Sequence, residues 1–361
     1  MTMAGNTAAH LDDFNGLLDW NGINAWARQA SLPGEGPVLA VESLAGGSQN
    51  HLFRMRRAGG DFVLRRPPRH LREKSNETIL REARVLSALA GSQVPHPTLY
   101  DVCDDSTVTG ACFFAMAPLD GFSPLGELPG DYAVKADWRY EMGREFVRAA
   151  AALSQVDHVA VGLADFGKAE RWHDRQVARW YGQLEGYRSM EGYDPQALPF
   201  VERVGRWLDD NIPADRRLGI IHGDLQWPNA MFSHGAPRIL GLIDWELSTI
   251  GDPLLDMAWI LTSWREAGDP VVGGKAGEPV VRPWQDFCSR DDMIGWYLEA
   301  TGRDAQAVPW FFVLACYKLA CLLEGTYARS MVGKASPEMG EFLHRYAIWL
   351  MHKADSLVRS L

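Results

Sequence analysis

Apolar positions along the front of the chain alternate between two spacings. Residues 16–30, GLLDWNGINAWARQA, carry them at helical intervals and stop near the breaker cluster LPGEGP. The next stretch, VLAVESLAGGSQNHLFRMRRAGGDFVLRRPP, reads as a strand, a Gly-rich turn, a second strand, a turn at AGGD and a third strand, FVLR, ended by Pro67 and Pro68. Helical spacing returns in NETILREARVLSALAG, where Ile79, Ala83, Leu86 and Leu89 form one stripe and Gly91 stands at the stop. TLYDVC and CFFAMA are two further strand candidates.

After PLDGFSP the character changes. EMGREFVRAAAALSQV, HDRQVARWYGQLEGYRS and PFVERVGRWLDDN are helical by pattern. Short strands reappear at LGIIHGD and RILGLIDWE, joined as a hairpin through SHGAP, and from Asp252 onward the pattern is helical again. Asp252 before Pro253 has the form of a helix N-cap followed by an N1 proline. The pattern thus predicts an α+β region over residues 1–116, a hinge at 117–122 and a mainly helical region over 123–361. A length of 361 residues, too great for one average core, agrees with that division.

Composition narrows the setting. A net charge of −10 argues against unspecific binding to nucleic acid or to anionic membranes. The most apolar run, WFFVLACYKLACLL, is broken by Lys318 and too short to span a bilayer, so it reads as a buried helix. The N-terminus lacks a basic start followed by an apolar run, so no signal peptide is expected. The five cysteines form no CxxC pair and no zinc spacing, which fits reduced thiols in a cytoplasmic protein. Nothing in the sequence specifies an oligomeric state.

Chemistry concentrates in two clusters. IIHGDLQWPNAMF (220–232) runs two apolar residues into His222, Gly223 and Asp224, with Asn229 five positions after Asp224. LGLIDWE ends a second apolar run on Asp244, twenty residues after Asp224. Two carboxylates and an amide suit magnesium, which takes few protein oxygens and fills its shell with phosphate and water. The D-x-x-x-x-N spacing matches the catalytic loop of protein kinases, in which the Asp orients the acceptor and the Asn holds a metal. A kinase also needs a Gly-rich turn over phosphates (LAGGSQN), a cation on the third strand (Arg65), an acid on the following helix to hold it (Glu82) and a strand leading to a hinge (CFFAMAPLDG). All four occur in that order.

HGDLQWPN, IDWE and GDPLLDMAWIL together resemble the aminoglycoside phosphotransferase and choline kinase-like group of small-molecule kinases. FVLRRPP, REARVLSALAG and IDWELSTIGDPLLDMAW are most similar to the kinase domains fused to acyl-CoA dehydrogenases. The resemblance extends from about Leu39 to the last helices. It implies a two-lobed protein-kinase-like fold, with a small, mostly antiparallel N-terminal lobe and a larger helical one. It further implies ATP and Mg²⁺ as cofactors and a small-molecule hydroxyl as acceptor. Asp224 would be the catalytic base or the residue that orients the hydroxyl, and Asn229 and Asp244 the Mg²⁺ ligands. Arg65 would contact the phosphates while paired with Glu82, and Gly47 and Ser48 would lie over them. Met116 would sit behind the adenine, with the Ala117 carbonyl and the Leu119 N–H reading its edge. Asp256 would brace the catalytic loop. Arg65 stands where kinases commonly have Lys, which keeps the charge and changes the geometry.

Other readings make different demands. A metal-dependent hydrolase would use His222, Asp224, Asp244 and Glu246 as ligands and need no ATP, while the same Glu246 could also face solvent. His222 reads as a structural residue holding the loop. An aminoglycoside acceptor asks for carboxylates around the pocket, and a hydroxyacyl-CoA asks for Lys or Arg, for which Arg171, Arg175, Lys318 and Arg329 are available. A P-loop is excluded because no GxxxxGK[ST] occurs, and a serine-hydrolase elbow because GGSQN lacks the second Gly of GxSxG.

Overall fold

Apolar positions in the front third fold as strands: HLFRM buries alternate residues, while FVLR and FFAM are buried on both faces. A computed structural model describes residues 14, 17–44, 50–266, 268–269 and 281–361. They divide into two compact units, Met1–Gly121 with Leu240–Ser248, and Phe122–Ile239 with Thr249–Leu361.

In the first unit, helix α1 (Trp20–Ala27) precedes strands β1 (Glu35–Leu44), β2 (His51–Ala58) and β3 (Gly60–Arg66). Helix α2 (Ser75–Ala88) and strands β4 (Leu99–Cys103) and β5 (Phe113–Met116) follow. Asp19 caps α1 by accepting the Asn21 and Gly22 N–H groups at 3.0 and 3.2 Å. The strands form one antiparallel sheet in the order β1-β2-β3-β5-β4. The AGGD turn closes β2 on β3 with Gly59 at φ +80°, a conformation that favours glycine. Phe53, Met55, Phe62, Leu64, Phe113 and Ala115 pack with Ile23 and Val41 into the core of this unit. Ile79, Ala83, Leu86 and Leu89 are all buried, so the stripe on α2 is its core face. The Gly-rich turn, with Gly47 and Ser48, lies outside the described residues.

The segment Leu240–Ser248 groups with this unit, although the sequence pattern assigns it to the helical region. Its backbone supplies the reason. The Leu242 N–H donates to the Pro95 carbonyl at 2.8 Å, and the Trp245 N–H donates to Glu82 at 3.3 Å.

The second unit contains α3 (Ala136–Ser154), α4 (Gln176–Gly186), α5 (Val201–Asp210), α6 (Leu254–Ser263), α7 (Arg290–Thr301), α8 (Val308–Met331) and α9 (Pro337–Ser360). Helix α8 packs against α4, α5, α6 and α9, which is why its sequence is apolar all round. It also runs further than WFFVLACYKLACLL suggests. Residues 305–331 form a helix long and apolar enough to cross a membrane, with 61% of its most apolar window buried within the fold. The extension carries Glu324, which is fully buried and accepts from Tyr193 Oη at 2.8 Å while facing His344 Nδ1 at 2.7 Å.

Around the candidate chemistry this unit has short strands, β6 (Gly219–Ile221), β7 (Ala230–Ser233) and β9 (Thr249–Gly251). Between the last two, β8 (Ile239–Leu242) is where the chain passes to the first unit. The sequence reading joined β6 to the IDWE strand as one hairpin. The structure corrects it: β6 pairs antiparallel with β9, and the SHGAP turn instead links β7 to β8, with the Ser233 N–H donating to the Arg238 carbonyl.

The pattern put Asp252 at the N-cap and Pro253 at N1; in the structure α6 begins at Leu254 with Pro253 at the N-cap, and Asp252 lies one residue before it. Its Oδ1 accepts the Leu254 N–H at 3.1 Å, and its carboxylate also holds Arg303 Nη1 at 2.6 Å, His173 Nε2 at 3.0 Å and the Arg217 N–H at 3.0 Å. All five cysteines are free and buried. Burial pushes the thiols up, Cys103 to about 11 and Cys316 to about 12, so they are poor nucleophiles.

Candidate active site

The first unit carries the candidate nucleotide-side residues. Arg65, near the end of β3, is buried and donates from Nε to Glu82 on α2 at 2.8 Å and from Nη2 to Asp244 Oδ1 at 2.7 Å. Burial disfavours the Arg65 charge, yet Glu82 and Asp244 raise its affinity for the proton. Burial pushes the Glu82 carboxyl up to about 7, with Arg65 pulling against it. Asp244 sits in the left-handed region at φ +66°, where Asp is tolerated because its short side chain can bond locally. Glu246 accepts from the Asn50 amide at 3.2 Å. Met116 ends β5 in register with Val63 and Leu99. The Ala117 N–H donates to the Thr98 carbonyl at 2.8 Å, so the carbonyl is the group this residue has to offer a ligand. Leu119 is half-buried.

The second unit carries the catalytic-loop candidates. β6 delivers His222-Gly223-Asp224, with Gly223 at φ +85° turning the chain out of the strand. Asp256 on α6 accepts the His222 and Gly223 N–H groups at 2.6 and 2.9 Å, the brace expected of it. His222 is fully buried, and its Nδ1 faces the Asp224 N–H at 3.4 Å, a structural position. A turn at Trp227–Asn229 then brings Asn229 back to Asp224. Its Nδ2 donates to the Asp224 carbonyl at 2.8 Å and to Asp224 Oδ2 at 2.9 Å, which turns Oδ1 of the amide the other way. Trp227 anchors the turn by stacking on Trp264 with centroids 4.7 Å apart.

Three further residues complete this half. Gln226 Nε2 and Trp259 Nε1 donate to Asp224 Oδ1 at 2.8 and 3.1 Å, so both carboxylate oxygens are held. Trp259 lies three residues after Asp256, one turn along the same helical face, a spacing that could have identified it. Lys318 is buried, donates to the Gly223 carbonyl at 2.9 Å and lies 4.1 Å over the Trp259 ring. It is therefore a loop-holding residue rather than a cation of the acceptor wall. A lysine interrupting an otherwise apolar helix was its signal.

Burial pushes Lys318 down to about 8, against the influence of Asp256 and Asp224. Between pH 8 and the ordinary lysine value near 10.5, the unfolded chain holds a proton that the native one has lost, so native stability rises with pH there. Relative to Lys318→Met, the wild-type protein should gain at most about 3 kcal/mol across that window in urea unfolding. A flat difference would contradict the depressed lysine.

The oxygens of Asn229 and Asp244 are the hard, sparse donor type that suits magnesium. Among the described residues no group of three or more His, Cys, Asp and Glu side chains forms a metal cage. The four-ligand hydrolase reading of His222, Asp224, Asp244 and Glu246 finds no support: His222 is fully buried, with its Nδ1 facing the Asp224 N–H.

The sequence profile of the phosphotransferase enzyme family (APH) matches residues 40–278. The chain is 30% identical over 298 residues to acyl-CoA dehydrogenase family member 10 of Mus musculus, a match covering 80% of this chain and 26% of that protein. It thus spans about a quarter of that relative. A solved Ralstonia eutropha structure of the aminoglycoside phosphotransferase type is 27% identical, with a TM-score of 0.79 over 95% of this chain and 98% of the other. A ternary complex of a thermostable APH(4)-Ia mutant with ADP and hygromycin B is 16% identical, with a TM-score of 0.57 over 94% and 98%, and shares the fold. With a kinase-like α+β fold and a family profile matching well over half of its length, this chain belongs to the phosphotransferase enzyme family.

Proposed function

We propose that the protein transfers the γ-phosphoryl group of ATP to a hydroxyl of a small molecule, with a hydroxyacyl-CoA as the foremost acceptor. The observation that carries this reading is the catalytic loop, in which Asn229 locks both the backbone and the carboxylate of Asp224. Asp224 orients the hydroxyl and takes its proton as the acceptor oxygen bonds to the γ-phosphorus. The bond from that phosphorus to the β–γ bridging oxygen breaks, and ADP leaves with the electron pair. Asn229 and Asp244 would hold Mg²⁺, which would supply charge neutralisation on the phosphates. Arg65 contacts those phosphates with Glu82 behind it. Met116, the Ala117 carbonyl and the Leu119 N–H receive the adenine. ATP as donor is supported by the ADP complex of the APH(4)-Ia mutant. The acyl-CoA acceptor is supported by the likeness to a member of the acyl-CoA dehydrogenase family.

ADP release measured against hydroxyacyl-CoAs, other hydroxylated metabolites and aminoglycosides tests the acceptor. Turnover confined to aminoglycosides would overturn the CoA assignment. Arg65→Met tests the nucleotide side. Loss of charge-assisted bonds worth about 1.5–3 kcal/mol should weaken Mg·ATP binding by about 10- to 150-fold in calorimetry. Glu82, already shifted up to about 7, then takes a proton and leaves no buried charge unpaired. Unchanged affinity would remove Arg65 from the phosphate site.

A further inference from the structure

Beside the catalytic loop, the second unit has an open cleft of about 610 Å³. Three cations line it, Lys168, Arg175 and Arg179, together with Trp172, Gln176 and Thr249, and no carboxylate is among its lining residues. Among the described residues none of the three cations has an ion-pair partner, although most arginines of this acidic protein do. Arg175 donates instead to the backbone carbonyls of Arg171 and Lys168, which aim the guanidinium without neutralising it. Arg179 stacks 4.6 Å over Trp180. Burial and the like charge of Arg175 depress its proton affinity, the signature of cations gathered without a counter-ion.

The cleft is tied to the chemistry by the strand pair. Thr249 and Ile250 on its wall pair with Ile221 and Ile220, and Asp224 follows Ile221 by three residues, at most about 10 Å of extended chain. Concentrated, uncompensated positive charge in a pocket of this size recruits an anion with several charges, and planar guanidinium groups suit phosphate.

We infer that this cleft receives a phosphate-bearing, multiply anionic part of the acceptor while the acceptor's hydroxyl lies at Asp224. The inference rests on the phosphotransferase reading and assigns Lys168, Arg175 and Arg179 as specificity residues. It excludes a polycationic acceptor from this position.

Calorimetry with two probes, coenzyme A and adenosine 3′,5′-bisphosphate, tests it with the nucleotide site filled by Mg·ADP. Both should bind the wild-type protein, more weakly as salt rises. The double variant K168E/R179E should lose at least tenfold in affinity for each, with Mg·ATP affinity unchanged as the folding control. Absence of binding by the wild-type protein, or equal affinity in the double variant, overturns the inference. So does kanamycin binding that the charge reversal abolishes. None of those results touches the phosphotransferase reading, which stands or falls on ADP formation in the acceptor screen.

Discussion

Asp224→Ala should lower kcat by about 10²–10⁴-fold, the usual contribution of a positioned general base. The fold should survive, because the residue is half-buried and its loop is held independently. Asp256 grips the His222 and Gly223 amides, Lys318 holds the Gly223 carbonyl, and Trp227 is stacked on Trp264. Asp224→Asn is the sharper comparison. It keeps the shape and an acceptor for Gln226 and Trp259 but cannot take the proton, so its rate should fall nearly as far. Mg·ATP affinity should change little in either variant, which separates a lost base from a lost binding site. An Asn variant retaining most of the wild-type rate would mean that the carboxylate only orients the hydroxyl.

Asp252→Ala should be the most destabilising single change near the site. The residue is fully buried and compensates Arg303, itself almost inaccessible, while receiving His173, the Arg217 N–H and the Leu254 N–H. Asp215 still pairs with Arg303 Nε at 2.7 Å, so the guanidinium is not wholly abandoned. Breaking a buried pair of this kind costs about 3–5 kcal/mol. Urea unfolding should show a lower midpoint with an unchanged slope. A loss below about 1 kcal/mol, typical of surface ion pairs, would show that water replaces the carboxylate.

The sequence revealed those parts of the fold in which local pattern and tertiary burial agree. The stripe on α2 is buried residue for residue, and FVLR is a strand because both its flanking strands cover it. The Arg65–Glu82 pair was legible because a cation on β3 and an acid on the next helix have few other reasons to recur in that order. Three-residue strands were not legible. Thr249–Gly251 contains a glycine and carries too little alternation to announce itself, so β6 was given the wrong partner. The membership of Leu240–Ser248 was hidden for another reason: its ties run through backbone groups of Pro95 and Trp245, which no side-chain pattern encodes. Lys318 was visible as a charge in an apolar helix, but its destination, a glycine carbonyl 95 positions away, was not. The cationic cleft likewise depends on residues 168–179 meeting 249–250, a contact that chain separation conceals.

The measurement that bears most directly on this account is the fate of the γ-phosphoryl group. With γ-labelled ATP, Mg²⁺ and a hydroxyacyl-CoA, the wild-type protein should move the label into a phosphate ester of the acceptor. That transfer should disappear on chelation of the metal and in Asp224→Ala. Transfer that persists in Asp224→Ala or without Mg²⁺, or label that passes only to water, would contradict it.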